Sequence, residues 1–218
     1  MEYQNEQFSY DNWSQNSPAN KQEMFCGGDK ISTNEKYFIN TYAKSNCLDV
    51  GCGTGNRTFL YYENRQIDYI GVEKYDHLIE YSNNSTKILK KDITSNSFHL
   101  DEIKNQKSDV AFYFGGVING FISESARLHG WENIEEVAKK HANYILVDTL
   151  SHFPWFCDEF EKLGKVTQLN PVFPPQFFYS QKGLKSLFVK HQLDIVEEKE
   201  EPVGPFKRTH YLLKYISQ

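Results

Sequence analysis

Cys47-Leu48-Asp49-Val50-Gly51-Cys52-Gly53-Thr54-Gly55-Asn56 is a short apolar run that ends in three glycines spaced two apart. The apolar part reads as a strand, and Arg57-Thr58-Phe59-Leu60-Tyr61-Tyr62-Glu63 after the glycines reads as a helix. Strand, glycine loop and helix in that order open a nucleotide-binding α/β unit. The glycines serve two ends: the chain turns through φ values that a Cβ penalises, and its backbone comes close to a ligand. The helix N-terminus beyond them offers N–H groups and a partial positive charge to a carboxylate or phosphate. A dinucleotide fingerprint, G-x-G-x-x-G, needs glycine at position 56. This chain has Asn56 there, and its third glycine is Gly55.

Downstream, Ile67-Asp68-Tyr69-Ile70-Gly71-Val72-Glu73 reads as a second strand ending in an acid. Glu73 stands about twenty residues past the loop, where an acidic side chain accepts hydrogen bonds from ribose hydroxyls. Thr86–Lys90 is a short third strand, followed by Lys91-Asp92-Ile93. The run from Asp109 to Phe114 is nearly continuously apolar, as a central parallel strand buried on both faces should be. Gly115–Phe121 then lies at its C-terminal end, where open α/β sheets bind ligands.

The string Leu48-Asp49-Val50-Gly51-Cys52-Gly53-Thr54-Gly55 resembles the first motif of the class I S-adenosylmethionine-dependent methyltransferases, which usually have an acidic residue two before the first glycine. The resemblance spans about residues 40–218, because the chain also closes on two strands, Leu193–Lys199 and Thr209–Ile216, that suit that family's antiparallel last strand. It implies a Rossmann-like three-layer α/β sandwich with a seven-stranded, mostly parallel sheet. It implies S-adenosyl-L-methionine as cofactor, held by Asp49, Gly51, Cys52, Gly53, Thr54 and Gly55, with Glu73 on the ribose. Asp92 would approach the adenine amino group and Ile93 pack on the ring, although Asp92 also suits an ordinary Asx-turn. Phe114 and Gly115 would face the methionine end. The D/N/S-P-P-Y/F/W tetrapeptide of amino-methyltransferases acting on DNA and some proteins is absent after the fourth strand; Pro174-Pro175 lies far downstream.

With 218 residues, one domain over 1–218 with an elaborated edge is expected. A net charge of -5 supplies no global basic field, which disfavours a nucleic-acid partner. Cys26, Cys47, Cys52 and Cys157 show neither C-x-x-C spacing nor a zinc-type cluster, so free thiols and no metal are expected. Neither a signal-like N-terminus nor a membrane-length apolar run occurs, which suits a soluble cytoplasmic protein, monomeric or homodimeric.

Tyr and Phe total 14 and 16 residues. Many fall in two loop-like stretches: an Asn/Gln-rich arm at 1–30, read as a lid or as a packed arm, and the proline-stiffened segment 151–180, read as a substrate cap or as core. Helices are expected near 33–44, with Ser32 or Thr33 as N-cap and Glu35 in the first turn, and at 75–83, 98–105, 131–141, 155–163 and 180–191.

Methyl transfer from a sulfonium needs alignment above all, plus a base where the acceptor must lose a proton. His152, just past the fifth strand Asn143–Leu150, is the favoured base; His210 and His129 are weaker candidates. Asn119 and Asp148, near strand ends, would orient an acceptor or take a proton, or simply hold loops. The acceptor expected is a small molecule methylated on O or N. RNA or protein substrates would call for a basic patch drawn from Lys87, Lys90, Lys91, Lys207 and Arg208, and a non-catalytic cofactor-binding module is the third reading.

Overall fold

The computed structural model describes Pro18 and residues 30–103, 107–151, 164–167, 176–203 and 206–216. Five helices are described: α1 (Thr33–Tyr42), α2 (Asn56–Asn64), α3 (Asp76–Tyr81), α4 (Glu124–Lys140) and α5 (Gln181–Lys190). The strands are β1 (Asn46–Val50), β2 (Asp68–Glu73), β3 (Ile88–Lys90), β4 (Ser108–Tyr113), β5 (Ala142–Ser151), β6 (Gly164–Thr167), β7 (Gln176–Tyr179), β8 (Leu193–Val203) and β9 (Phe206–Tyr215). Seven of them form one sheet in the order β3-β2-β1-β4-β5-β9-β8. β1 to β5 pair in parallel, and β9 runs antiparallel to both β5 and β8.

Side chains alternate across the sheet and feed two cores. In β4, Val110 and Phe112 join Phe38 of α1 and Phe59 and Tyr62 of α2, while Ala111 and Tyr113 join Trp131 of α4 and Phe188 of α5. Helices therefore cover both faces, which lets the central strands be apolar on both sides. This is the three-layer arrangement read from the sequence. The strand order reverses between β1 and β4, so a crevice opens beyond their C-terminal ends, the usual ligand site of such sheets.

Three local expectations change. Residues 98–103 are not helical, with 98–100 irregular and 101–103 in a turn: the Asn133 side-chain amide bonds the carbonyls of Ile93 and Ser95, and Phe98 and Leu100 pack into the core. α4 begins at Glu124, well before Trp131, because Ser123 caps it and Gly130 lets the Phe121 ring lie against the helix; a Cβ there would meet that ring at 2.5 Å. Within 151–180, β6 and β7 pair as a two-stranded sheet. Phe177, Phe178 and Tyr179 are buried, and Tyr179 links Trp131 Nε1 to the Ile118 carbonyl, so these aromatics are core. The expected helix at 155–163 and nearly all of the arm at 1–30 lie outside the described residues. Among the described residues no helix is long and apolar enough to cross a membrane.

Candidate active site

The glycine loop leaves β1 and is tied to the neighbouring strand, since Gly51 N and Cys52 N both donate to the Val72 carbonyl, at 2.8 and 3.1 Å. Gly53 and Gly55 have φ of +62° and +69°, a region that penalises a Cβ. They differ in what surrounds them. A Cβ on Gly55 would strike the Phe59 ring at 2.2 Å, whereas a Cβ on Gly53 would find nothing within 4 Å and project into open space. Gly55 is thus required by packing, and Gly53 leaves a cradle.

Glu73 ends β2 beside that cradle. Its carboxylate accepts hydrogen bonds from Gly53 N at 2.9 Å, Lys74 N at 2.8 Å and Tyr75 N at 3.0 Å. Burial pushes its carboxyl up, opposed by these N–H groups. A carboxylate offers about four acceptor positions, so one remains for a ligand hydroxyl. Asp49 is more enclosed: its Oδ2 accepts from the Thr58 hydroxyl and from the Tyr62 hydroxyl at 3.1 Å, which braces α2 against β1. Burial pushes its carboxyl up to about 6.

These residues line a cavity that opens to solvent. Asp49 and Gly51 to Gly55 form one side, Glu73 to Tyr75 the middle, and Asp92, Ile93 and Thr94 the far end, with Phe114, Val117 and Phe121 as a wall. Asp92 Oδ1 accepts from Thr94 N and Oγ1, at 2.8 and 2.7 Å, so the Asx-turn is real and it fixes Asp92 at the cavity edge. Cys52 also lines the cavity, but burial pushes its thiol well up, so it stays a neutral thiol.

Next to this cavity lies a buried polar cluster. Arg57, part of the cavity lining, bonds both oxygens of Glu35 at 2.8 and 2.9 Å. Glu35 in turn closes a capping box with Ser32 at the start of α1. Burial acts to raise the Glu35 carboxyl, but Arg57, the Ser32 N–H and Arg208 hold it below the usual carboxylate range. Asp148 on β5 accepts from Gly115 N at 3.0 Å and Gly116 N at 2.6 Å, fixing the loop after β4. Arg208 on β9 approaches Asp148 at 3.6 Å and Glu35 at 3.9 Å. His210 sits opposite Asp148 in the β5–β9 register, fully buried, and burial pushes its imidazole down against the pull of Asp148, Glu201 and Glu35.

A family model described as a methyltransferase domain matches residues 42–169, more than half of the chain. The chain belongs to the methyltransferase domain family. No curated protein sequence matches it. Among solved structures, the methyltransferase is similar to an S-adenosylmethionine-dependent methyltransferase from Methanosarcina mazei, with 12% identity, 86% of this chain and 100% of that one covered, and a TM-score of 0.63. It is similar to the glycopeptide N-methyltransferase MtfA complexed with S-adenosyl-L-methionine, with 12% identity, 87% and 89% coverage and a TM-score of 0.61. A TehB-like methyltransferase from Corynebacterium glutamicum gives 15% identity, 90% and 94% coverage and a TM-score of 0.58. At these identities the likeness is one of fold.

In this methyltransferase the cavity gathers Asp49, Gly51, Cys52, Gly53, Thr54, Gly55, Glu73, Asp92, Ile93 and Phe114, and Gly115 follows Phe114 directly. Arg57, Lys74, Tyr75, Leu78 and Lys91 join them unforeseen; most flank the residues that had been read, and that adjacency was the available signal. Asn119 does not face the cavity. Its amide nitrogen bonds Thr149 Oγ1 and the Phe177 carbonyl, its oxygen takes Leu150 N, and it is fully buried, so it pins the turn after β4 to β5 and β7. His152 lies outside the described residues. His129 lies on α4, away from the cavity lining.

Proposed function

We propose that this methyltransferase carries a methyl group from S-adenosylmethionine to an oxygen or nitrogen atom of a small molecule. The observation that carries the donor assignment is the cradle at Gly53 lying beside a Glu73 carboxylate already fixed by three backbone N–H groups. The Gly51–Gly55 loop would hold the amino-acid end, Glu73 the ribose hydroxyls, and Asp92 with Ile93 the adenine. When bound, S-adenosylmethionine supplies a methyl group made electrophilic by its sulfonium. The chain contributes position: orientation of reacting groups is worth roughly 7–11 kcal/mol.

The small-molecule reading draws on charge. Lys87, Lys90, Lys91 and Lys207, the lysines a nucleic-acid patch would need, pair with Asp68, Asp76, Glu102 and Glu200. Calorimetric titration with S-adenosylhomocysteine tests the donor site: Glu73→Ala should weaken binding at least tenfold while leaving the far-UV spectrum unchanged. Equal affinity in both proteins would remove the assignment.

A further inference from the structure

Among the described residues, six buried side-chain polar atoms make no hydrogen bond, and five of them fall in one place: Asn34 Nδ2, Glu201 Oε1, Arg208 Nε and both ring nitrogens of His210. Buried polar groups are paired almost without exception, so such a concentration marks a place where a polar partner is missing. This place adjoins the cofactor cavity. Arg57 belongs both to the cavity lining and to the Glu35 ion pair, and Asp148 holds Gly115 and Gly116, which separate the lining residues Phe114 and Val117. The five atoms themselves are out of contact with solvent, while the side chains of Glu201, Arg57 and Arg208 keep 14%, 13% and 10% of their exposure at the cluster's margin.

Its charges point to the partner. Among the described residues, the two guanidiniums of the cluster, Arg57 and Arg208, are engaged by Glu35 and Asp148. Glu201 is the odd carboxylate. Its Oε2 takes Asn34 N at 3.4 Å, while its Oε1 lies 3.8 Å from His210 Nε2 with no hydrogen bond on either atom. In the neutral tautomer with its hydrogen on Nδ1, His210 Nε2 is an acceptor like Glu201 Oε1, and one nitrogen that carries at least two hydrogens can bridge two acceptors so spaced. Glu35, Asp148 and His210 also offer ligand atoms within 4.8 Å of one another, as a metal site would. However, Arg208 already reaches both carboxylates and supplies the positive charge there.

Resting on the methyltransferase reading, we propose that this cluster is the acceptor subsite and that it takes a small primary amine as its ammonium, held between Glu201 and His210. His210 then acts as the base. The ammonium passes one proton to the imidazole, and the freed nitrogen lone pair forms the N–C bond as the methyl's C–S bond breaks, its electron pair staying on sulfur. The products are the N-methylammonium ion, which keeps its positive charge, the neutral thioether and a protonated His210, which returns its proton to water when the methylated ammonium leaves. Burial favours the neutral imidazole that this step needs.

The test uses the full chain saturated with S-adenosylhomocysteine, with benzylamine, benzyl alcohol and benzoate as probes and the imidazole resonances of His210 followed by NMR. Benzylamine alone should shift them, and Glu201→Gln should weaken that binding about 10- to 100-fold, the range for losing a charged hydrogen bond. His210→Gln should keep S-adenosylhomocysteine binding and lose the reporter signal, which confirms its assignment. A response to benzoate instead, none to any probe, or stoichiometric Zn²⁺ or Mn²⁺ binding at His210 would overturn the proposal. Failure of S-adenosylhomocysteine itself to bind would overturn the methyltransferase reading beneath it, a separate and recognisable outcome.

Discussion

Replacing Gly53 and Gly55 separately by alanine should split the loop's two tasks. Both glycines are left-handed, so each substitution costs about 1–2 kcal/mol of backbone strain. For Gly53→Ala that is nearly the whole cost, because the new methyl meets no atom within 4 Å. In a domain of this size it lowers Tm by about 2–8 °C. The methyl does, however, stand in the cradle, so S-adenosylhomocysteine binding should fall at least tenfold. Gly55→Ala adds a collision with Phe59, a ring only 1% exposed and locked between Tyr62 and Tyr69. Overpacking of that kind costs a further 1–3 kcal/mol or so, for a total of about 2–5 kcal/mol. Urea denaturation read by circular dichroism gives the first quantity and titration calorimetry the second. Wild-type affinity in Gly53→Ala, or a Gly55→Ala variant no less stable than Gly53→Ala, would refute this division.

The buried ion pair yields a second test: Arg57→Met leaves Glu35 charged and unpaired and should cost about 3–5 kcal/mol. Adding Glu35→Met should recover much of that in a double-mutant cycle, and a purely additive cycle would deny the coupling. Asp49 supplies a pH signature. Its carboxyl titrates near 6 when folded and near 3.9 when unfolded, so between those values the native state binds the extra proton. Its contribution therefore falls as pH rises through that window, by something on the order of 2–3 kcal/mol. Asp49→Asn should accordingly gain stability on wild type between pH 4 and 6, and a difference that does not vary with pH, in paired denaturation curves, would count against the burial argument. Asn119→Ala, which breaks three bonds of a fully buried amide, should lower Tm while S-adenosylhomocysteine binding persists in the cold. Lost cofactor binding at full stability would place Asn119 in the site after all.

The lining of the cavity was legible because it is local. Asp49 to Gly55, Glu73 and Asp92 follow one another at spacings set by single βα units, and each strand end delivers its residue to the same edge. Even Ser32 and Glu35 were visible as a helix start, since a capping box is written in four consecutive residues. What the capping box does not reveal is that Glu35 also meets Arg57 and Arg208, contacts that exist only after α1, α2 and β9 have packed. The buried polar cluster draws on α1, α2, β5, β8 and β9, so no stretch of sequence carries it. Asn119 misled for a related reason. A polar residue at a strand end suits either a ligand or a carbonyl, and the Phe177 carbonyl that claims it lies 58 positions on. The start of α4 was missed because Gly130, a poor helix former, stands inside it, where the Phe121 ring needs the space it leaves.

The position of β9 also bears on how the molecule is built. It is the last strand described, yet it lies between β5 and β8 and joins neither edge of the sheet. During synthesis the strands that carry Asp49 and Glu73 emerge well before β9, and since a domain folds as a unit the sheet waits for this strand. Until then β5 has an open flank of unpaired amides, the kind of border that recruits stray strands. Insertion of β9 closes that flank and delivers Arg208 and His210 in the same event. One strand thus both completes the sheet and brings Arg208 and His210 against Asp148.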